Sequence, residues 1–583
     1  LAKVAALALV VFAFYAAGAL VAMANQLLRG FTALEPLLYL KQMLLVCVPF
    51  ALLGVLALFL QVLSNNKFVG YLLMLVFLLS RVVLGILEFD DNLFRPFGAP
   101  SAPYSAMNGF GHFLAARLWF QAYWGLFAAL LLVGALLLWV RGGRSTLAER
   151  RREAGRRFSP PLRLATALSA VGFLGLGGWI YYNTHVLNRY EAGDAAMDRA
   201  ADYEKQYRQY KDLPQPRITA MRTEVDIEPY QRRVAIRGHY RLVNPHATPV
   251  AELHVDIDPE MLVGVLDFGA HTVVASDAVH GYTIYRLAQP LAPGAEMDFD
   301  FTIAFAPEGF RNDTGPTQVV WNGTFFNSSV LPSFGYDEGR QLMDRNERRK
   351  RDLGEVPRIA GIDDLAARSN TYLGDDADWL QFETIVSTAP DQIALAPGYL
   401  QREWTEDGRR YFHYRMDRPM LAFAAWLSAR WEVRRDEWNG IPIEVYYDPK
   451  HPYNVERMIE ASKKSLDYYT REFTPYQHRQ VRILEFPGYS SFAQSFANTI
   501  PYSESIGFVA DLRDPEDIDY VFYITAHEIA HQWWAHQVIG GNVQGATVLS
   551  ESLSQYSALM VMEEEYGAEK MRKFLKYELD TYL

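Results

Sequence analysis

The residues of this chain that could do chemistry are concentrated in the pentapeptide HEIAH, residues 527 to 531. Residues four apart share one face of a helix, so His527 and His531 can both present a ring nitrogen to one metal ion. Glu528 would project beside that ion and could take a proton from a zinc-activated water as a general base. The spacing therefore predicts a zinc site of the hydrolytic kind.

A third ligand is predicted in the segment LSESLSQYSALM, which follows the pentapeptide in the chain. This segment has the pattern of a helix with a polar face, and its Glu551 could complete a His/His/Glu site. Such a site leaves one position open for water, as catalytic zinc sites do. We expect His536 to be structural or solvated, and Trp533 and Trp534 to serve packing.

The helices that must position these residues can be predicted from their capping residues and from the spacing of their apolar residues. The first should run from about Pro515 to Gln537 with Asp514 as its N-cap, and the second from Ser550 to Tyr566, closed by Gly567. Further upstream the pattern predicts a helix over residues 454 to 473 and strands at IPIEVYYDP, QVRILEF and SIGFVAD.

A β-rich region precedes these mixed elements. From Ile218 to about Val433 apolar and polar residues alternate, as in TEVDIEP, RVAIRGHYRLV and AELHVDID, with Asn, Pro and Gly turns between them. This alternation predicts antiparallel β-sheet. Residues 183–216 are polar and Ala-rich and end in prolines, and we interpret them as a charged helical stalk.

The first 182 residues contain apolar runs long enough, or nearly so, to cross a bilayer. A soluble core could not bury five such runs in succession, so residues 1–182 are predicted to form a transmembrane region of five helices. The runs are Val4 to Ala24, Met43 to Leu63, Phe68 to Leu87, Leu118 to Val140, and Leu164 to Tyr182.

Arginine placement predicts the orientation of these spans. The segment between the fourth and fifth runs, RGGRSTLAERRREAGRRFSPPLR, carries eight arginines and should lie in the cytoplasm. Everything after Tyr182 would then lie outside the cytoplasm. We therefore expect an integral membrane protein, with the lipid bilayer as a partner and the metal site on the extracytoplasmic side.

Composition excludes some classes of protein and site. The net charge of −11 argues against nucleic acid as a partner. The single cysteine, Cys47, allows neither an internal disulfide nor a cysteine-based metal site. Because the chain starts at Leu1 and stops at Leu583 within a predicted helix, we expect it to be a fragment of a longer protein.

HEIAHQWW followed by a glutamate in a helix resembles the gluzincin aminopeptidases, the family of alanyl aminopeptidase and leukotriene hydrolase. The resemblance covers about residues 217 to 583. It implies a multidomain fold: an antiparallel β saddle-like domain at 217–433, then an incomplete, mixed α/β thermolysin-like catalytic domain at 434–583. It also implies that His527, His531 and Glu551 bind one zinc ion and that Glu528 is the general base.

Three departures from the family pattern bear on the third ligand, on substrate binding and on catalysis. The spacer between His531 and Glu551, nineteen residues, is one longer than usual. The family's GAMEN motif corresponds to QSFAN at residues 494 to 498, so the glutamate that binds the substrate's amino terminus falls on Ala497. This leaves Asn498 and Glu504 as candidate substrate-binding residues. The family's catalytic tyrosine lies further downstream than this chain extends.

Other segments, including SFAQSFANTIPYSESIGF, resemble a bacterial subgroup in which the peptidase is fused to an ABC-2-type transporter permease. This implies a bacterial inner membrane and an ATP-binding transporter subunit as partner. The leading hypothesis is a membrane-anchored zinc metallopeptidase that cleaves peptides as an aminopeptidase. The alternatives are a permease whose peptidase-like domain serves binding or gating, and an endopeptidase.

Overall fold

The computed structural model describes residues 2–139, 146–356, 358–514 and 517–582. Its chain divides into two compact units. The first unit comprises Leu1–Pro103, His112–Ala196 and Glu308–Gly315, and the second comprises Tyr104–Gly111, Met197–Pro307 and Pro316–Leu583. Several residues of the sequence predictions, namely Val140, Arg141, Arg144 and Pro515, lie outside the described residues.

The first unit is built from apolar helices. Within the described residues, five helices are long and apolar enough to cross a membrane, which confirms the helical nature of all five predicted runs. The helices of this unit are α1 (Ala2–Leu28), α2 (Pro36–Ser64), α3 (Lys67–Ile86), α4 (Phe113–Leu138), α5 (Leu147–Arg157) and α6 (Pro160–Tyr181).

Helix α5 lies within the arginine-rich segment between the fourth and fifth runs. Thr146 and Glu149 form a reciprocal capping box at its start, a signal present in the sequence. The buried Arg150 donates hydrogen bonds to the carbonyls of Val62 and Leu63, at 2.5 and 2.8 Å. Arg150 therefore satisfies carbonyls in the last turn of α2, which have no partner inside that helix.

The β-rich part of the second unit follows from the alternating pattern, since every second residue of a strand such as Arg233–Val243 is buried. The strands of this part are β1 (Arg217–Glu228), β2 (Arg233–Val243), β3 (Val250–Asp256), β4 (Leu262–Asp267), β5 (His271–Asp277), β6 (Tyr282–Leu291), β7 (Glu296–Phe305), β8 (Thr324–Asn327), β9 (Ser333–Phe334), β10 (Trp379–Thr388), β11 (Ile393–Leu395), β12 (Tyr399–Glu406), β13 (Arg409–Arg415), β14 (Met420–Leu421) and β15 (Ala425–Ala429).

These strands form three sheets that share one apolar core. The largest has the order β12-β13-β10-β1-β2-β7-β4, with β14 also paired to β10, and the others are β5-β6-β3-β9 and β11-β15-β8. Pairing is antiparallel as predicted, apart from the parallel pair β1 and β10. The fully buried Trp426 of β15 packs on Phe326 and Phe382, which belong to β8 and β10.

Helix α7 (Ala195–Tyr207), in the predicted stalk, packs on this β-rich part. Its Tyr203 and Tyr207 cluster with Tyr282 of β6. Its Glu204 forms a bidentate pair with Arg348 of the short helix α8 (Arg345–Lys350), at 2.6 and 2.9 Å. Both partners have only 2% of their side chains exposed, so the pair is buried.

The remaining part of the second unit is mixed α/β, as predicted. Its sheet has the order β16-β17-β18-β19, and β17, β18 and β19 run parallel to one another. Its elements are β16 (Glu432–Trp438), β17 (Ile441–Tyr447), α9 (Val455–Glu472), β18 (Val481–Phe486), β19 (Thr499–Ser503), α10 (Tyr520–Ala530) and α11 (Glu551–Tyr582).

Two predictions in this part are wrong in detail. The segment SIGFVAD forms a helical turn over Glu504–Phe508 instead of a strand. Helix α10 is shorter at both ends than the predicted 515 to 537. Gly567 does interrupt α11, with a φ of 79°, but the chain continues as helix beyond it.

The buried pair of Glu204 and Arg348 yields a test of the fold. Arg348→Ala would remove the bidentate partner of the buried Glu204 carboxylate and leave it the single hydrogen bond from the more exposed Arg208, at 3.1 Å. We therefore expect it to lower the Tm of the detergent-purified chain by roughly 5–10 °C. Arg237→Ala is the control, because Arg237 is 63% exposed in its pair with Glu224 and should leave the Tm unchanged. Equal effects of both substitutions would contradict this account.

Candidate metal centre

Helix α10 presents its histidines because its other faces are used for packing. Asp519 caps the helix by accepting the N–H of Phe522 at 2.9 Å, in place of the predicted cap Asp514. Phe522, Ala526 and Ile529 are fully buried in the apolar core of this part. The face that remains carries His527 at the end of α10 and His531 just beyond it.

The three predicted ligands converge on one point. The Nε2 atoms of His527 and His531 lie 3.0 Å apart. One carboxylate oxygen of Glu551, at the start of α11, lies 3.5 Å from the first of these nitrogens and 3.6 Å from the second. Ligand atoms held 2.0–2.1 Å from a tetrahedral zinc ion lie about 3.3 Å apart, so the donor set fits zinc.

The ring of His531 is oriented for metal binding by its other nitrogen. Its Nδ1 donates towards the carbonyl of Trp534 at 3.1 Å and lies 3.0 Å from the hydroxyl of Ser554. This places the proton on Nδ1 and the lone pair on Nε2. Burial also lowers the pKa of His531 to about 4, which keeps the ring in the neutral form that binds a metal.

Side chains of α11 hold that helix against α10. Ser557 accepts a hydrogen bond from the indole N–H of Trp534 at 2.9 Å, and Gln555 donates to the hydroxyl of Tyr523. Together with the contact of Ser554 with His531, these hydrogen bonds join the start of α11 to α10 and to the residues just beyond it. The relative position of Glu551 and the histidines is therefore set by a polar seam between the two helices.

Glu528 lies within this part of the second unit, only 5% exposed. Among the described residues, none forms a hydrogen bond with its Oε2. Burial raises the pKa of this carboxyl to about 7. A buried carboxyl with a free oxygen and a pKa near neutrality has the properties of a general base.

The segment QSFAN, residues 494–498, is hydrogen-bonded to α10 and to the residues that directly follow it. Ser495 donates to the carbonyl of Glu528 at 2.8 Å. Gln532 donates to the carbonyl of Phe496 at 3.0 Å and accepts the N–H of Asn498 at 2.9 Å. The structure thus places the backbone of Asn498 next to the end of α10. The side-chain amide oxygen of Asn498 accepts hydrogen bonds from Gln480 and Arg482.

Glu504 belongs to a different group of buried residues. Its carboxylate accepts the N–H groups of Ala106 and Met107, at 3.1 and 3.2 Å. It lies with His451 and Glu485 in a second cluster, separate from the three metal ligands. The substrate-binding roles of Asn498 and Glu504 stay predictions.

Sequence reasoning did not identify Gln532 and Ser495, and it left His536 open between a structural and a solvated role. His536 is buried, and its Nε2 donates to the carbonyl of Ser495 at 3.0 Å. Gln532 and His536 lie four residues apart, beyond the end of α10, and both contact the same segment. That spacing was visible, but its partner segment lies more than thirty residues upstream and only the tertiary structure brings it close.

Comparisons with known proteins find local similarity to aminopeptidases. No family model matches the chain. It is 29% identical over 102 residues to endoplasmic reticulum aminopeptidase 2 of Bos taurus, covering 17% of this chain and 11% of that protein. Over 81 residues it is 31% identical to probable aminopeptidase 1 of Sulfurisphaera tokodaii, covering 14% and 10%. Over 139 residues it is 25% identical to leucyl aminopeptidase of Saccharolobus solfataricus, covering 24% and 18%.

The matched segments therefore span less than a fifth of these relatives. Among solved structures, the chain is similar to an M1 zinc metallopeptidase from Deinococcus radiodurans. The TM-score is 0.42 and the sequence identity 14%, over 61% of this chain and 73% of that one.

The ligand geometry makes zinc content a direct test. We expect the purified chain to hold one zinc ion and His531→Ala to lose it, because only two donors would remain. His239→Ala removes an exposed histidine of the β-rich part and should keep full zinc content. Metal analysis after dialysis measures both variants, and a wild-type chain without zinc would contradict the assignment.

Proposed function

We propose that this chain is a membrane-anchored, zinc-dependent peptidase of aminopeptidase type, which hydrolyses peptide bonds at the site formed by His527, Glu528, His531 and Glu551. The observation that carries the proposal is the convergence of two imidazole nitrogens and one carboxylate oxygen within 3.6 Å, with Glu528 buried next to the first histidine in sequence. The local similarity to aminopeptidases supports it.

Three residues of the site would bind the metal ion, and the fourth, Glu528, would transfer a proton. Zinc bound by the two histidines and Glu551 would acidify water and polarise the scissile carbonyl. Glu528 receives a proton at its free Oε2 and passes it to the leaving nitrogen of the peptide. Burial serves this step, because it raises the pKa of Glu528 towards neutrality.

The candidate spans support a location in a membrane, and the arginines between the fourth and fifth spans support a peptidase domain outside the cytoplasm. We propose a bacterial inner membrane on the strength of the sequence resemblance alone. The same spans would serve the ABC-2-type permease that this resemblance suggests, with an ATP-binding subunit as its partner.

The residue at position 497 bears on whether the substrate needs a free amino terminus. In the aligned family motif this position is the glutamate that binds the substrate's amine, and here it is Ala497, which is 1% exposed. A methyl group offers no charge to an ammonium ion. Endopeptidase activity is therefore the second candidate function.

Replacement of the general base tests the catalytic role. Glu528→Gln should lower kcat by about 10²- to 10⁴-fold, because the amide cannot accept the proton. Zinc content should stay at the wild-type value, since Glu528 is not a ligand. Glu565→Gln is the control, as that carboxylate pairs with Arg457 and contacts none of the ligands. Full activity of Glu528→Gln would contradict the proposal.

Peptide libraries with free and with acetylated amino termini distinguish the two candidate functions. An aminopeptidase should cleave only the free peptides and release single amino acids. Loss of the anchoring carboxylate predicts that acetylated peptides are cleaved as well, at internal bonds. Mass spectrometry of the products measures this, and strict release of amino-terminal residues would contradict the endopeptidase assignment.

A further inference from the structure

The loop that carries the chain from the second histidine to Glu551 is paired with a distant segment of the β-rich part. The N–H of Asn542 donates to the carbonyl of Asn370, and the N–H of Gln544 donates to that of Ala360, both at 2.9 Å. We call residues 358–372 the clasp segment. Without such partners, a nineteen-residue spacer between two metal ligands would be free to move.

The clasp segment approaches the loop so closely that one position must be glycine. A Cβ atom added to Gly541 would lie 2.9 Å from the carbonyl oxygen of Arg368, closer than real contacts allow. Thr371, which bridges to Gly541, is 6% exposed. The two segments are therefore in close contact at this position.

The clasp segment ends at Tyr372, whose hydroxyl lies 2.8 Å from the hydroxyl of Ser550. Ser550 is 1% exposed and directly precedes Glu551. Its carbonyl accepts the N–H of Ser554 at 3.1 Å and so begins the first turn of α11. The phenol of Tyr372 is thus joined to the residue from which the third ligand projects.

The third ligand needs this support more than the other two. The side chain of Glu551 is 60% exposed, compared with 17% for His527 and 11% for His531. An exposed glutamate has rotamers that no packing restricts, so the backbone beneath it determines its reach. Burial and the nearby charge of Glu551 also raise the pKa of Tyr372, which keeps the phenol un-ionised and able to donate.

We propose that Tyr372 is a positioning residue of the metal centre, which acts through Ser550 to hold Glu551 within reach of the two histidines. This inference rests on the proposed zinc-dependent function. It implies that a segment of the β-rich part sets the metal affinity of the α/β part.

The test is a double-mutant cycle of Tyr372→Phe, Ser550→Ala and the double variant, in the full 583-residue chain purified in detergent. Zinc affinity is measured by competition with a chromogenic chelator. Each single variant should weaken zinc binding about ten- to a hundred-fold. The double variant should bind no more weakly than the weaker single variant, because both substitutions remove the same hydrogen bond.

A spectrum separates positioning from general destabilisation. With cobalt(II) in place of zinc, the visible absorption of Tyr372→Phe should shift towards that of Glu551→Ala. Tyr230→Phe is the matched control, because it also loses a phenol hydrogen bond, to Asp391 at 2.5 Å, in a different part of the β-rich region. Its zinc affinity and cobalt spectrum should equal those of the wild type.

Several outcomes would overturn the inference. A zinc affinity of Tyr372→Phe within two-fold of the wild type would overturn the inference. Independent, multiplicative effects of the two substitutions on zinc affinity would overturn it as well. Both outcomes would leave the proposed function standing. If Tyr372→Phe does not fold, Ser550→Ala decides in the same way. A wild-type chain that binds no zinc would overturn the proposed function and this inference with it.

Discussion

The metal centre depends on the close approach of two imidazole nitrogens and a carboxylate oxygen. Two Nε2 atoms 3.0 Å apart can direct their lone pairs at one cation, and a carboxylate oxygen 3.5 and 3.6 Å from them supplies negative charge for that cation. The surrounding structure serves to keep this arrangement in place. The core beneath α10 fixes the histidines, and the polar seam between α10 and α11 fixes the carboxylate.

Burial shifts the pKa values of His531 and Glu528 in the directions that hydrolysis requires. It lowers the pKa of His531 to about 4, so that its ring is neutral, and raises the pKa of Glu528 to about 7. The same burial would be costly without hydrogen bonds, and the Nδ1 of His531 has two acceptors within 3.1 Å. Glu528 keeps one oxygen without a hydrogen bond from any described residue, and this is the oxygen at which a proton can be received.

Polar contacts hold two further segments of the second unit near the metal ligands. Gln532 and His536 fasten the segment of Ser495 to Asn498 to the end of α10. The clasp segment of the β-rich part pairs with the loop before Glu551. In the proposed peptidase, substrate-binding and metal-binding elements would therefore keep a constant relative position while the substrate changes.

The sequence by itself determined the chemistry: the period of a helix places His527 and His531 on one side, and the lengths of the apolar runs locate the helices of the first unit. The alternation of apolar and polar residues also distinguished the β-rich region from the mixed α/β region that follows it. It could not locate the start of α10 at Asp519, because several acidic residues there are equally good caps. The sequence also offered Glu551 as the third ligand, and the tertiary structure shows how closely it approaches the histidines. Only the tertiary structure brings Tyr372 to Ser550, because this contact joins residues 178 positions apart and no local pattern in the sequence records it.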